Sequence, residues 1–322
     1  MVSLYDEEAA NRRNSFVLVV LVMAAFAALG YVIGYALTGD SDGAVVAVAI
    51  ALGLSGISAV WSYFKGDQIV LKSSQAQELS PEQCPELFDV VQEMAIAAGL
   101  PMPRVYLIDD SSPNAFATGR DPRHASIAVT TGLLRRLDRE ELEGVIGHEM
   151  SHVRNYDIRF SLLVGVLVGG ISLLAQFFLR WTFWFGGGSR RDDRGNSSLI
   201  GLIFVLAGLV LSILAPIFTK LVQFAVSRQR EYLADASSVE LTRNPYGLER
   251  ALASISADPE PLAVANGATQ HMYIVNPLKK LGGGSALFST HPPIVDRINR
   301  LRQLTGEAPL DGRTVGALAG LS

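Results

Sequence analysis

Four long stretches of this chain carry no charge: residues 16–37, 44–64, 161–179 and 197–219. As helices, each is long enough to cross the roughly 30 Å hydrocarbon core of a bilayer. The first is too long for the apolar part of a signal peptide, and a second run follows at once. Between the two pairs the pattern turns to shorter periods. Ser80-Pro81-Glu82-Gln83 reads as a capping box with Pro at the first helical position, predicting a helix to Ala98 that stops at Gly99. Residues 68–71 and 104–108 read as short strands, and 114–118 with 125–130 as a hairpin across Gly119-Arg120-Asp121-Pro122. Asp138, with Glu141 three residues on, predicts the start of a helix whose apolar stripe is Leu142, Val145, Ile146, Met150 and Val153. After the second pair, residues 227–236 are good helix formers, 243–256 read as a turn and a helix, and 294–304 as an amphipathic helix. Pro- and Gly-bearing loops cover 258–267 and 282–284.

The resulting class is α+β, mostly helical with a small β-sheet, plus up to four transmembrane helices. The chain divides into a polar tail at 1–15, two membrane helices within 16–64, a first soluble half at 65–160, a hydrophobic hairpin at 161–219 and a second soluble half at 220–322. Arg12, Arg13, Lys65 and Lys72 flank the first pair of runs, and the loop between them holds Asp40 and Asp42 without a basic residue. That charge bias sets the N-terminus and the segment after Phe64 in the cytoplasm. The loop at 180–196 carries an aromatic belt (Trp181, Phe183, Trp184, Phe185) but also Arg190, Arg191 and Arg194. Those arginines run against the same bias and leave the depth of the second pair open. Two crossings, or none, return the chain to the same side, so both soluble halves meet there.

Composition agrees. Of 322 residues, 49% are hydrophobic, and mean hydropathy is positive. The net charge of −4 argues against nucleic acid as a partner. The single Cys84 excludes an internal disulfide, suits a reducing compartment, and reads as a small apolar helix residue.

The chemistry concentrates in Gly147-His148-Glu149-Met150-Ser151-His152. Histidines four apart on a helix project from one face and can converge on a tetrahedral zinc ion. Glu149 then adjoins a zinc-bound water and can take its proton. A third ligand is needed. A histidine six residues after His152 would mark one class of zinc protease, but position 158 is Ile. Glu231 is available on the helical stretch at 227–236, with Asp235 one turn on to receive a hydrogen bond from the outer nitrogen of a ligand histidine. His271 and His291 are the rivals. Of the other polar residues, His124 reads as a surface residue in a basic turn. Arg297 reads as a structural partner of some acidic residue. Asn155 and Asp157 read as shaping the passage from the helix to the membrane.

Several linked motifs extend the pattern: Val145-Ile-Gly-His-Glu-Met-Ser-His-Val-Arg-Asn-Tyr-Asp157, Asn114-Ala-Phe-Ala-Thr-Gly119, Ser227-Arg-Gln-Arg-Glu231 with Ala234-Asp235, and Ser289-Thr-His-Pro-Pro293. Together with four hydrophobic segments in matching order, they make nearly the whole chain resemble the HtpX membrane metalloproteases, relatives of the CAAX prenyl proteases. The resemblance implies a gluzincin fold, one zinc per chain and Glu231 as third ligand. It implies that Asn114 contacts substrate and that His291 donates a hydrogen bond to the oxyanion. It also implies a place in the bacterial inner membrane, a catalytic domain facing the cytoplasm, and a role in removing damaged or misfolded membrane proteins under envelope stress. Two other readings stand beside it: a processing protease with one dedicated substrate, and a noncatalytic membrane scaffold or transporter. The absence of charge within the four runs speaks against an ion pathway.

Overall fold

The structure is a computed structural model that describes residues 4–164, 228–258, 260–264, 269–275 and 292–311. The first two hydrophobic runs lie in helices α1 (Leu4–Thr38) and α2 (Ser41–Ser73). Asp40 caps α2, its carboxylate accepting the Gly43 N–H at 2.7 Å. The helices pack antiparallel through small residues. Gly30 faces Ala51 and Gly34 faces Ala47 and Ala44, and a Cβ on Gly34 would stand 2.5 Å from that of Ala47. Such backbone-distance packing is how helices associate where lipid removes the hydrophobic drive. The outer faces stay apolar: Phe16, Leu21, Ile50, Ile57 and Trp61 are all exposed, a surface suited to lipid contact. Among the described residues, α2 has the length and apolarity to cross a membrane. The second hydrophobic hairpin, from 165 to 219, lies outside the described residues.

Residues 68–71 are not a strand but the last turns of α2. Gly66 does not interrupt the helix, no Pro lies between Phe64 and Ser73, and Val70 and Leu71 bury against Tyr106, Ile108 and Phe116 of the sheet. One unbroken helix therefore runs from the apolar segment into the soluble part. The next helix also departs from expectation. Ser80 donates its N–H to Gln83 Oε1 at 2.7 Å in a turn, and α3 (Pro85–Ala98) begins later, with Cys84 before it and Pro85 in its first turn. It ends at Gly99, whose left-handed φ of 67° closes the helix.

The sheet comprises β1 (Gln77–Glu78), β2 (Arg104–Ile108), β3 (Ala115–Gly119) and β4 (Ala125–Thr130), in the order β1-β2-β4-β3. β2 and β4 are parallel, with Tyr106 opposite Ala128. β3 and β4 form the expected antiparallel hairpin, with Ala117 opposite Ile127. The period of two separates two cores. Val105, Ala115, Ala117, Ile127 and Val129 join α3 and the helices behind it. Tyr106, Ile108, Phe116 and Ala128 join Val70, Leu71, Leu162 and Tyr273 on the other face.

A short α4 (Thr131–Arg136) leads to α5 (Arg139–Arg154), which starts on a complete capping box: Asp138 accepts the Glu141 N–H and Glu141 the Asp138 N–H. Residues 157–164 are again helical. From the second half come α6 (Arg228–Thr242), α7 (Pro245–Ala257) and α8 (Ile294–Thr305). α5 is the hub, packed against α3, α6, α7 and β3. Close packing there depends on missing side chains. A Cβ on Gly144 would lie 2.5 Å from the Leu248 nitrogen, and one on Gly147 would lie 2.9 Å from Ser238 Oγ. Ser238 Oγ also donates to the Gly144 carbonyl at 2.6 Å, tying α6 to α5.

Candidate functional site

α5 presents His148 and His152 on one face, and α6 brings Glu231 opposite them. The two Nε2 atoms are 3.2 Å apart, His148 Nε2 is 3.7 Å from Glu231 Oε2, and His152 Nε2 is 3.6 Å from Glu231 Oε1. The edge of a tetrahedron with zinc-to-ligand bonds of 2.0–2.2 Å is about 3.4 Å. The three side chains are thus spaced as a metal triad.

The outer nitrogens decide what that triad holds. His148 Nδ1 lies 3.0 Å from Asp235 Oδ1, and His152 Nδ1 lies 2.9 Å from Asp157 Oδ2. A carboxylate accepts, so each Nδ1 donates, and the Nε2 atoms are left facing each other. Two imidazole lone pairs at that separation repel unless a positive charge lies between them. The field supplies the same demand. Burial would lower the His152 pKa, but the Asp157 hydrogen bond and the Glu231 charge push it up to about 9. Carboxylates that favour a proton there also favour a divalent cation, which displaces it. Burial holds His148 down at about 4, the neutral form that a ligand requires. The donor set fits zinc.

Arg297 closes this shell from α8. It is fully buried, with Nη2 2.6 Å and Nε 2.9 Å from the two oxygens of Asp235, and Nη1 donating to the Ile274 carbonyl at 2.8 Å. Burial works against the Asp235 carboxylate, but the Arg297 charge keeps its pKa low. The series Arg297–Asp235–His148 fixes one imbedded imidazole. Asp157 fixes the other after a tight reversal: Tyr156 takes a left-handed φ of 60°, and the chain turns Asp157 back onto His152.

Glu149 is buried beside the triad, and Oε1 has no hydrogen-bond partner among the described residues. Burial raises its pKa to about 7, with the Ala117 N–H opposing the shift. A carboxylate balanced near neutrality suits proton transfer in both directions. A small cavity of about 30 Å³ is bordered by Glu149, the triad, Ala117, Ile158 and Ser161.

His271 also borders that cavity, but its Nε2 lies 3.0 Å from the Ser161 carbonyl, and it is not part of the triad. His291 lies outside the described residues. Asn114 is buried and does not border the cavity. Its Nδ2 donates to the Val275 carbonyl at 3.0 Å, while the Ile274 N–H bonds the Ala115 carbonyl at 2.9 Å, so the 273–275 stretch lies along the β3 edge. His124 is an exposed turn residue, paired with Asp121 at 2.8 Å. Arg297 is the structural partner of an acidic residue that the sequence suggested, and that residue is Asp235. Arg297 falls among Ile294, Ile298 and Leu301 on the apolar stripe of α8, where a charge must have a buried partner. Asp157 gave no such signal, because its contact depends on the reversal at Tyr156.

A zinc-type triad, a buried carboxylate beside it and an edge strand alongside define a metallopeptidase. Residues 81–305 match peptidase family M48, and the chain belongs to that family. It is 46% identical over 301 residues to the Protease HtpX homolog of Streptococcus gordonii, covering 94% of this chain and 100% of that protein. The Protease HtpX homolog of Ligilactobacillus salivarius is 46% identical over 305 residues, with 94% and 100% covered. That of Caldanaerobacter subterraneus subsp. tengcongensis is 45% identical over 304 residues, with 94% and 98% covered. Among solved structures, the crystal structure of S. mikatae Ste24p is similar at 18% identity and a TM-score of 0.47, over 94% of this chain and 66% of its own. The chain is a membrane metalloprotease.

Proposed function

We propose that this chain is a zinc endopeptidase in which His148, His152 and Glu231 hold the ion and Glu149 is the general base. The observation that carries this is the triad spacing of 3.2–3.7 Å with both outer imidazole nitrogens already committed to carboxylates. Zinc bound there supplies a Lewis acid that acidifies water and polarises a peptide carbonyl. The chain's own residues do the rest. Asp235 and Asp157 keep each Nδ1 protonated and each Nε2 lone pair inward. Glu149 takes a proton from the attacking water and returns it to the departing amine. Its acidity near neutrality suits both transfers. From the resemblance, His291 is the donor to the oxyanion and Asn114 acts at the substrate-bearing strand.

The substrates are damaged or misfolded membrane proteins, cut on the cytoplasmic side of a bacterial inner membrane by a multi-pass enzyme. Two observations support this beyond the resemblance. Ile158 and Ser161, which border the cavity, belong to the helical stretch leading into the hydrophobic run at 161–179. α2 carries its apolar length directly onto the sheet beside the site. The test is cleavage of several unrelated unfolded membrane proteins by the purified full chain. Cleavage of most of them is expected; cleavage of one alone would support a dedicated processing enzyme instead.

A further inference from the structure

A second concavity, of about 360 Å³, lies outside the metal site, where α2 leaves its uncharged stretch. Phe64, Lys65 and Gln68 contribute from α2, Arg104 from the start of β2, and Arg120 and Arg123 from the β3–β4 turn. Part of this charge is already matched. Arg104 pairs with Asp67 at 2.9 Å and Arg120 with Asp121 at 3.6 Å. Lys65 and Arg123 make no ion pair among the described residues. Four cations against two carboxylates leave an excess of two, gathered in a hollow.

The rest of the groove is apolar and continuous with the lipid-facing side of α2. Phe64 and Met102 are 52% and 41% exposed at its wall, and Trp61 is exposed one turn earlier on the same side of the helix. Arg120 lies over Phe64 at 5.1 Å, holding a cation against the last aromatic of the apolar stretch. Tyr63 receives both Arg120 and Arg159, at 6.0 and 5.8 Å. Aromatic rings with long cations at one level mark the plane of a membrane interface. A hollow with a cationic floor and an apolar wall running into the bilayer matches one amphiphile: phosphate below, acyl chains alongside α2.

We propose that this groove binds the headgroup of an anionic phospholipid from the leaflet that α2 leaves at Phe64. The inference rests on reading α2 as a membrane helix. The bound lipid fixes the height of the β3–β4 turn, and with it the β3 edge beside Glu149, relative to the membrane surface.

The chain has three tryptophans, Trp61, Trp181 and Trp184. In full-length protein carrying Trp181→Phe and Trp184→Phe, reconstituted in phosphatidylcholine nanodiscs, Trp61 reports lipid at this groove. Brominated phosphatidylglycerol should quench it at a mole fraction about 25-fold lower than brominated phosphatidylcholine. Lys65→Gln with Arg123→Gln should remove that advantage, at about fivefold per neutralised charge. Both side chains are exposed, and circular dichroism checks the fold. Gln68→Lys, which adds a charge to the same wall, should enlarge the advantage. Equal quenching by the two lipids overturns the site, as does an advantage that the substitutions leave untouched. Loss of the advantage on adding millimolar inorganic phosphate would assign the groove to a free anion and overturn the lipid. Quenching by neither lipid would overturn the membrane reading of α2, and the site with it.

Discussion

His148 and His152 are equivalent in the motif, yet each has its own support. His148 leans on Asp235, which is gripped by the buried Arg297; His152 leans on Asp157, which sits nearer solvent. Both supports should matter to the metal. Asp157→Asn is expected to weaken zinc about 10- to 100-fold, as is Asp235→Asn, because each amide still accepts from Nδ1–H but no longer supplies charge. Competition with a metal indicator measures it, and unchanged affinity would remove the tautomer argument. Arg297→Gln should cost more in stability than in chemistry: it strands the Asp235 carboxylate in the core, at about 3–5 kcal/mol. Chemical unfolding with zinc chelated from both proteins isolates that loss. The pair His148 and His152, proposed here as ligands, was legible in the sequence, since a helix makes them neighbours by spacing alone. Asp235 followed from its one-turn offset to Glu231. Arg297 was legible as the partner of an acidic residue, but not which one, because the contact joins distant helices; the role of Asp157 was not legible, because it needs a left-handed tyrosine.

At the scale of elements, the start of α5 and the β3–β4 hairpin could be read directly, each carrying its own local signal in Asp138 with Glu141 and in Gly119-Arg120-Asp121-Pro122. Residues 68–71 are helical and not a strand because burial of Val70 and Leu71 against the sheet extends α2. α3 began late because Pro85, not Pro81, occupies its first turn. The glycine contacts of α5 could not be foreseen, since they depend on which helices meet. Gly144→Ala tests them. Its Cβ would press on the Leu248 nitrogen, and moving α7 away should cost about 1–3 kcal/mol. It should also lower zinc affinity by loosening α6. Thermal unfolding and metal titration read the two effects, and a variant as stable as the parent would show that α5 and α7 yield freely. The course of α1 and α2 gives another test. In a Cys84→Ser background, Ser41→Cys between the helices should label in intact cells, and Glu82→Cys only after permeabilisation. The reverse pattern would invert the proposed orientation.

Across the whole molecule, two stretches far apart in sequence build one centre. The first soluble half supplies α5 and the sheet; the second supplies Glu231, Asp235 and Arg297 from α6 and α8. The hydrophobic segment between them must return the chain to the side it left, or Glu231 cannot reach the histidines. α2 ties the same centre to the α1–α2 pair by entering the second core. The claim on which this architecture depends is that Glu231 binds metal while Glu149 handles protons. Zinc content and casein cleavage, measured together on detergent-purified full-length variants, test it most directly. Glu149→Ala should keep about one zinc per chain and lose cleavage, whereas Glu231→Gln and His148→Ala should lose both. Normal zinc in Glu231→Gln alongside its loss in His271→Ala or His291→Ala would contradict the account, as would a Glu149→Ala protein that loses zinc as fully as His148→Ala.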